Sequence, residues 1–193
     1  MLEAYLKDLA EVVNIDCGSA NVEGVTKVAH IMKAHFDSIG WHTELVDLGP
    51  KAGKGVFATN KPEATTYDIM FNAHLDTVFP EGEAERRPFK IEGDRIYGPG
   101  CGDCKAGVIA IFHALKNARP EDLERLAIAV VYNPMDSFFP CFFRIPFFTI
   151  FGLYKIWFIT DYRSFLSMIA ESTDSFSIPS ATNCSGVFPS FSF

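Results

Sequence analysis

Apolar side chains fall at Leu2, Leu6, Leu9, Val12 and Val13. That three-to-four-residue spacing predicts a helix over residues 2–13. A second stripe, Val25, Val28, Ala29, Met32, Phe36 and Ile39, predicts a helix over 22–39 that stops at Gly40. The period then changes from 3.6 to 2. Trp41, Thr43 and Leu45 alternate with His42 and Glu44, as in a half-buried strand over 41–48. A short strand over 55–60 follows the loop Gly49-Pro50-Lys51-Ala52-Gly53. Residues 67–73 are almost continuously apolar, which predicts a central strand buried on both faces. A charged loop over 80–88 leads into 89–91 and 95–97, which flank the tight turn Glu92-Gly93-Asp94. Val108, Ile109, Ile111, Phe112 and Leu115 predict an inward helical face over 103–117, and 126–132 reads as a second fully apolar strand. Helices alternating with buried strands indicate an α/β layered sheet.

Two stretches carry chemistry. The run Phe71-Asn72-Ala73-His74-Leu75-Asp76-Thr77-Val78 is a strand that ends in His-x-Asp. Residues two apart on a strand share a face, so the Asp76 carboxylate can fix the tautomer of a metal-binding His74. His74 lies at the carboxyl end of its strand, where open α/β sheets bind ligands. The second stretch, Tyr97-Gly98-Pro99-Gly100-Cys101-Gly102-Asp103-Cys104-Lys105-Ala106-Gly107, is a Gly/Pro turn that delivers Asp103 to the start of a helix. Helix N-termini favour negative side chains. A lone His-x-Asp or a lone glycine turn is common without a metal. Their combination, with an Arg-Pro-Phe and Gly-Asp-Arg-Ile-Tyr hairpin between them, is much more specific.

That combination resembles the M20 family of zinc metallopeptidases and aminoacylases, which includes carboxypeptidase G2-like, acetylornithine deacetylase-like and succinyl-diaminopimelate desuccinylase-like enzymes. The resemblance runs from near the N-terminus to about Asn133. It implies a three-layer α/β/α zinc-exopeptidase-like catalytic domain and a site for two zinc ions. By position, His74 would be a zinc ligand, Asp76 its orienting and catalytic carboxylate, and Asp103 the bridge between the ions. The implied reaction is hydrolysis of an amide next to a carboxylate, in a short peptide or an N-acyl amino acid. Chemically, two metal ions sharing a carboxylate and a water lower that water's pKa toward about 7, and a Glu relays the proton to the leaving amine.

The pattern departs from the family after the 126–132 strand. Where the family has an Asn-x-Asp-Glu-Glu-type motif, this chain has Asn133-Pro134-Met135-Asp136-Ser137. Asp136 falls at the general-base position, one methylene short of Glu, and Ser137, a poor zinc ligand, falls at a ligand position. All five His lie at or before His113, and no dimerisation domain is recognisable. Two readings of function therefore stand: a zinc-dependent hydrolase by lineage, or a truncated, catalytically inactive fragment with at most partial metal binding.

Composition sharpens the break. Roughly two thirds of the 19 Phe lie beyond Ser137, in a Phe/Ser-rich stretch with very few charges. The expected division is 1–136, the N-terminal part of an M20-type catalytic domain, and 137–193, an atypical tail. The tail reads as non-native or disordered sequence, as an unfamiliar packed extension, or as an anchor. Residues 138–160 approach the length of a membrane span, but Arg144 and Lys155 lie within them and Pro140 and Pro146 break them. Net charge is −7, which argues against a nucleic-acid partner. The charged start, Met1 to Glu11, does not resemble a signal peptide, so a cytoplasmic location is expected. The Cys residues are odd in number and scattered, and the Cys101-x-x-Cys104 pair reads as incidental thiols near the metal. Lys105, Arg95, Glu81, Glu83 and Glu85 read as solvated charges, and His30, His35 and His42 as surface or helix-face residues. His113 reads as packed.

Overall fold

The computed structural model describes residues 1–134. Asp136 and the Phe/Ser-rich stretch lie outside the described residues. Helices α1 (Leu2–Val13) and α2 (Val22–Ser38) come first, followed by strands β1 (His42–Val46), β2 (Gly55–Thr59) and β3 (Ile69–His74). A short helix α3 (Glu83–Arg86) precedes a hairpin of β4 (Lys90–Glu92) and β5 (Arg95–Tyr97). Helix α4 (Ala106–Lys116), helix α5 (Pro120–Arg125) and strand β6 (Ile128–Asn133) complete it. Asn21 caps α2, its side chain accepting from the Gly24 N–H at 2.8 Å.

The main sheet has the order β1-β2-β6-β3. β3 and β6 are parallel, while β2 is antiparallel to both β1 and β6. Alternate residues of the strands (Val56 and Ala58; Phe71; Ile128, Val130 and Tyr132) face α1, α2 and α4 and form one buried core with them. Phe36, Phe112 and Tyr132 meet at its centre, with ring centroids 5.5 and 6.1 Å from Phe36. The fully buried Tyr132 hydroxyl donates to the Val108 carbonyl at 2.9 Å. Helices against one face of a mixed sheet are two of the three expected layers.

Several boundaries differ from expectation. Among the described residues, 67–73 do not form a central strand. β3 is an edge of the described sheet and is mostly half-buried, whereas β6 is buried on both faces. An apolar run alone does not say which strand receives neighbours on both sides. Segment 80–88 contains α3 and is not wholly a solvated loop. Glu83 is buried beneath Arg86 and Arg87, which bond its carboxylate and hold it below the usual carboxylate range. Asp103 does not open a regular helix. It sits with φ −140° and ψ 96° in a distorted turn, Cys101–Lys105, ahead of α4.

Candidate metal centre

The site is built where β3 ends. His74 is its last residue and pairs in register with Asn133 of β6. The chain then continues into Leu75, whose N–H donates to the Asn133 carbonyl at 3.0 Å. This brings the Asp76 side chain back under the imidazole. His74 Nδ1 lies 2.9 Å from the Asp76 carbonyl and 3.4 Å from its carboxylate Oδ1. Both acceptors require a proton on Nδ1, which leaves Nε2 as the outward-facing ring nitrogen. Nε2 points at Asp103 Oδ1, 3.0 Å away.

Asp103 reaches this position from the glycine turn. Gly100 has φ +77°, and a Cβ there would fall 2.5 Å from Thr77 Cγ2. The turn therefore closes against the His-x-Asp loop only because residue 100 lacks a side chain. The Asp103–Cys104 peptide bond is cis. Cys104 Sγ donates to the His74 carbonyl at 3.2 Å, so this thiol also lies at the site.

Electrostatics follow from the geometry. Asp76 is almost wholly buried and takes a hydrogen bond from the Ser19 hydroxyl. The His74 imidazole is pushed up to about 11, chiefly by its bond to Asp76, with Cys104 and Asp103 adding and burial opposing. The Asp103 side chain is 68% exposed. His74 and Asp103 line a cleft of about 510 Å³, whose walls include Arg86, Arg87, Lys90 and Tyr97.

The donor set fits a divalent metal. The ligand atoms of His74, Asp103 and Cys104 all lie within 4.8 Å of one another. Two ligands about 2.0–2.1 Å from one tetrahedral zinc are roughly 3.3 Å apart, close to the 3.0 Å between His74 Nε2 and Asp103 Oδ1. An imidazole, a carboxylate and a thiol suit zinc in softness as well as in geometry.

Of the residues expected at the site, His74, Asp76 and Asp103 are brought together; Asp136 is outside the described residues. Cys104, expected only as an incidental thiol near the metal, stands at ligand range. Ser19 was not expected, and it arrives because the 17–19 segment pairs with the loop after β3. The Thr77 N–H donates to the Cys17 carbonyl at 2.8 Å, and the Ser19 N–H donates to the Thr77 carbonyl at 3.1 Å. Position in a polar turn beside Gly18 was the only sequence signal for Ser19. Lys105 corrects another reading. It is buried rather than solvated, and its Nζ donates to the Ile15 carbonyl at 3.1 Å. Cys101 is buried and its thiol is pushed up to about 11 by desolvation, so it is a packing residue.

Comparison with known proteins agrees with this geometry. The profile described as "Peptidase family M20/M25/M40" matches residues 70–136. Carboxypeptidase G2 of Pseudomonas sp. (strain RS-16) is 32% identical over 114 residues, which is 58% of this chain and 27% of that protein. The M20 family metallo-carboxypeptidase Sso-CP2 of Sulfolobus solfataricus superposes with a TM-score of 0.53 at 25% identity, covering 66% of this chain and 30% of that one. Human carnosine dipeptidase 1 shares the fold, with a TM-score of 0.57 at 19% identity over 69% of this chain and 32% of that one. The matching region spans about a quarter to a third of the curated relatives' own length. The N-terminal part of this chain is thus similar to M20-family peptidases in sequence and in fold.

Proposed function

We propose that this chain carries part of the catalytic domain of a metal-dependent hydrolase that cleaves an amide bond next to a carboxylate. The observation that carries the proposal is His74 held between Asp76 and Asp103 on the wall of a cleft. Zinc, held by His74 and Asp103 with Cys104 adjacent, would supply Lewis-acid polarisation of the scissile carbonyl and activation of a water. The chain's own residues do the positioning. Asp76 keeps the Nδ1 proton of His74, so Nε2 remains the donor atom; Ser19 fixes Asp76; the turn at Gly100 fixes Asp103. The cleft walls bear Arg86, Arg87 and Lys90, cations suited to a substrate carboxylate. That supports short peptides or N-acyl amino acids as the substrate class. Carboxypeptidase G2 and the tripeptidase of Staphylococcus aureus among the similar proteins are consistent with such substrates.

The residues present fill only part of the family's site in this reading. Asp136 and Ser137 stand where the family places its two Glu. The cleft is expected to hold at most one zinc per chain, and the chain to show no amidase activity. Zinc titration of the wild type and of His74→Ala tests this. One equivalent should disappear with His74, and N-acyl amino acids should not turn over. Zinc stoichiometry indifferent to His74 would overturn the metal centre; turnover that depends on His74 would overturn the inactive state.

A further inference from the structure

A second set of metal-ligating side chains lies away from the cleft, where α1, α2 and α4 meet. The ligand atoms of Asp8, Glu11 and His35 all fall within 4.8 Å of one another. Asp8 and Glu11 are three apart on α1, so one helix face presents both carboxylates. His35 comes from the last turn of α2. From these residues we infer a divalent-cation site, distinct from the cleft, with Asp8, Glu11 and His35 as its ligands.

Two features besides the clustering point to a ligand. His35 Nε2 is screened from solvent and has no hydrogen-bond partner among the described residues. A buried ring nitrogen left without a partner is destabilising, and this one belongs to an imidazole stacked on Phe112 at a 4.6 Å centroid separation. The second feature is the support behind Asp8. The buried His113 of α4 bonds Asp8 Oδ2 through Nε2 at 2.8 Å. The outer partner that metal-ligating carboxylates require is thereby supplied. His113 is itself set against Tyr5, edge to face at 5.7 Å.

The charge balance is favourable. Two carboxylates outweigh the nearby cation, the Lys116 ammonium over the Phe112 ring, 5.4 Å from its centroid, and the net negative charge suits a divalent cation. Mixed imidazole and carboxylate donors suit zinc, with manganese as the harder alternative. A cation here would tie α1 to α2 directly and to α4 through His113. Its role is therefore structural: it clamps the helical layer under the sheet that carries His74.

The experiment uses the full chain with His74→Ala and Asp103→Ala, so that zinc at the cleft does not contribute. Isothermal titration with zinc chloride should show about one equivalent bound, and zinc should raise the melting temperature. Adding Glu11→Gln at the exposed ligand should weaken that binding at least tenfold, and adding His35→Gln should remove it, with helical circular dichroism unchanged. Should the cleft double variant not fold, the same Glu11→Gln and His35→Gln changes in the otherwise wild-type chain must each lower zinc stoichiometry by one. Absence of zinc binding in the folded cleft variant, or binding indifferent to both Glu11 and His35, overturns the site. Loss of zinc only on changing His74 supports the cleft reading and overturns this one.

Discussion

The hydroxyl of Ser19 donates to the carboxylate of Asp76, and Asp76 in turn faces the Nδ1 side of the His74 imidazole. A residue from the loop after α1 is thus linked through Asp76 to the imidazole of His74, 55 positions later. Substituting Ser19→Ala removes a hydrogen bond to a charged group, worth about 1.5–3 kcal/mol in protein stability. Outer-shell partners of ligands typically carry 10–100-fold in metal affinity. Ser19→Ala should therefore lower the melting temperature and weaken zinc binding at the cleft by roughly tenfold, with Ser19→Thr retaining most of both. Calorimetric titration of the three proteins checks it. Unchanged affinity in Ser19→Ala would show that Asp76 is held without the hydroxyl.

The two residues of His-x-Asp and the Asp of the glycine turn were legible in the sequence because each is encoded locally. An apolar run ending in His-x-Asp marks a strand end, and Gly98, Pro99 and Gly100 mark a turn. Ser19 was not legible as a site residue, and Cys104 was legible only as a thiol near the site. Ser19 depends on the pairing of the 17–19 segment with Thr77, a contact that no local period announces. Cys104 reaches ligand range through the distorted turn at 101–105, whereas a regular helix had been expected from residue 103. The order of the sheet was hidden for the same reason. The 67–73 and 126–132 runs are both apolar, and only the partners on each side, β2 and β3 for β6, decide which one is central. Lys105 shows how a buried ammonium escapes composition-based reading: its stem packs against the glycine turn and its charge finds a backbone carbonyl.

Gly100 gives a backbone test of the same assembly. Its φ of +77° costs a non-glycine residue about 1–2 kcal/mol. The added Cβ would also overlap Thr77 Cγ2 at 2.5 Å, and overpacking of this kind costs about 1–3 kcal/mol. Gly100→Ala should destabilise the chain by at least about 2 kcal/mol on these terms, and it should weaken zinc binding because Asp103 lies on the displaced turn. Gly107→Ala is the matched control: it lies in α4 with open space around its Cβ, and is expected to be neutral or stabilising. Chemical denaturation of the two variants distinguishes local strain from a general intolerance of α4.

Lys105 is buried, and its Nζ is 3.1 Å from the Ile15 carbonyl. Replacing it by Met keeps most of the packed stem and removes one hydrogen bond donated by a charged group, a loss of about 1.5–3 kcal/mol. Replacing it by Ala removes the stem as well and adds a cavity term. The predicted order of stability by urea denaturation is wild type, then Lys105→Met, then Lys105→Ala. If Met proves as costly as Ala, the ammonium rather than the stem dominates, and the side chain matters to this turn as a charge.

Acid sensitivity is expected to centre on Asp16. Its carboxylate accepts from the backbone N–H groups of Ala84 and Gly82, each at 2.8 Å, and so ties the loop after α1 to the start of α3. The bond from Ala84 is the largest influence holding the Asp16 pKa below its usual value; the bonds from Gly82 and Glu83 and the charge of Lys105 add to it, while desolvation opposes. Glu83, in the same segment, is depressed by Arg86 and Arg87. For a carboxylate depressed on folding, the stabilisation is fully present above its unfolded pKa, about 3.9 for Asp and 4.3 for Glu. It is lost as pH falls through the folded value. Wild type should therefore be more stable than Asp16→Asn at pH 6–7, and the difference should shrink as pH falls below about 4. Urea denaturation of both proteins between pH 7 and pH 3 measures that difference directly. A gap that stayed constant with pH would assign the role of Asp16 to its two acceptor oxygens rather than to its charge, since the amide of Asn keeps one acceptor and turns a donor toward the other backbone N–H.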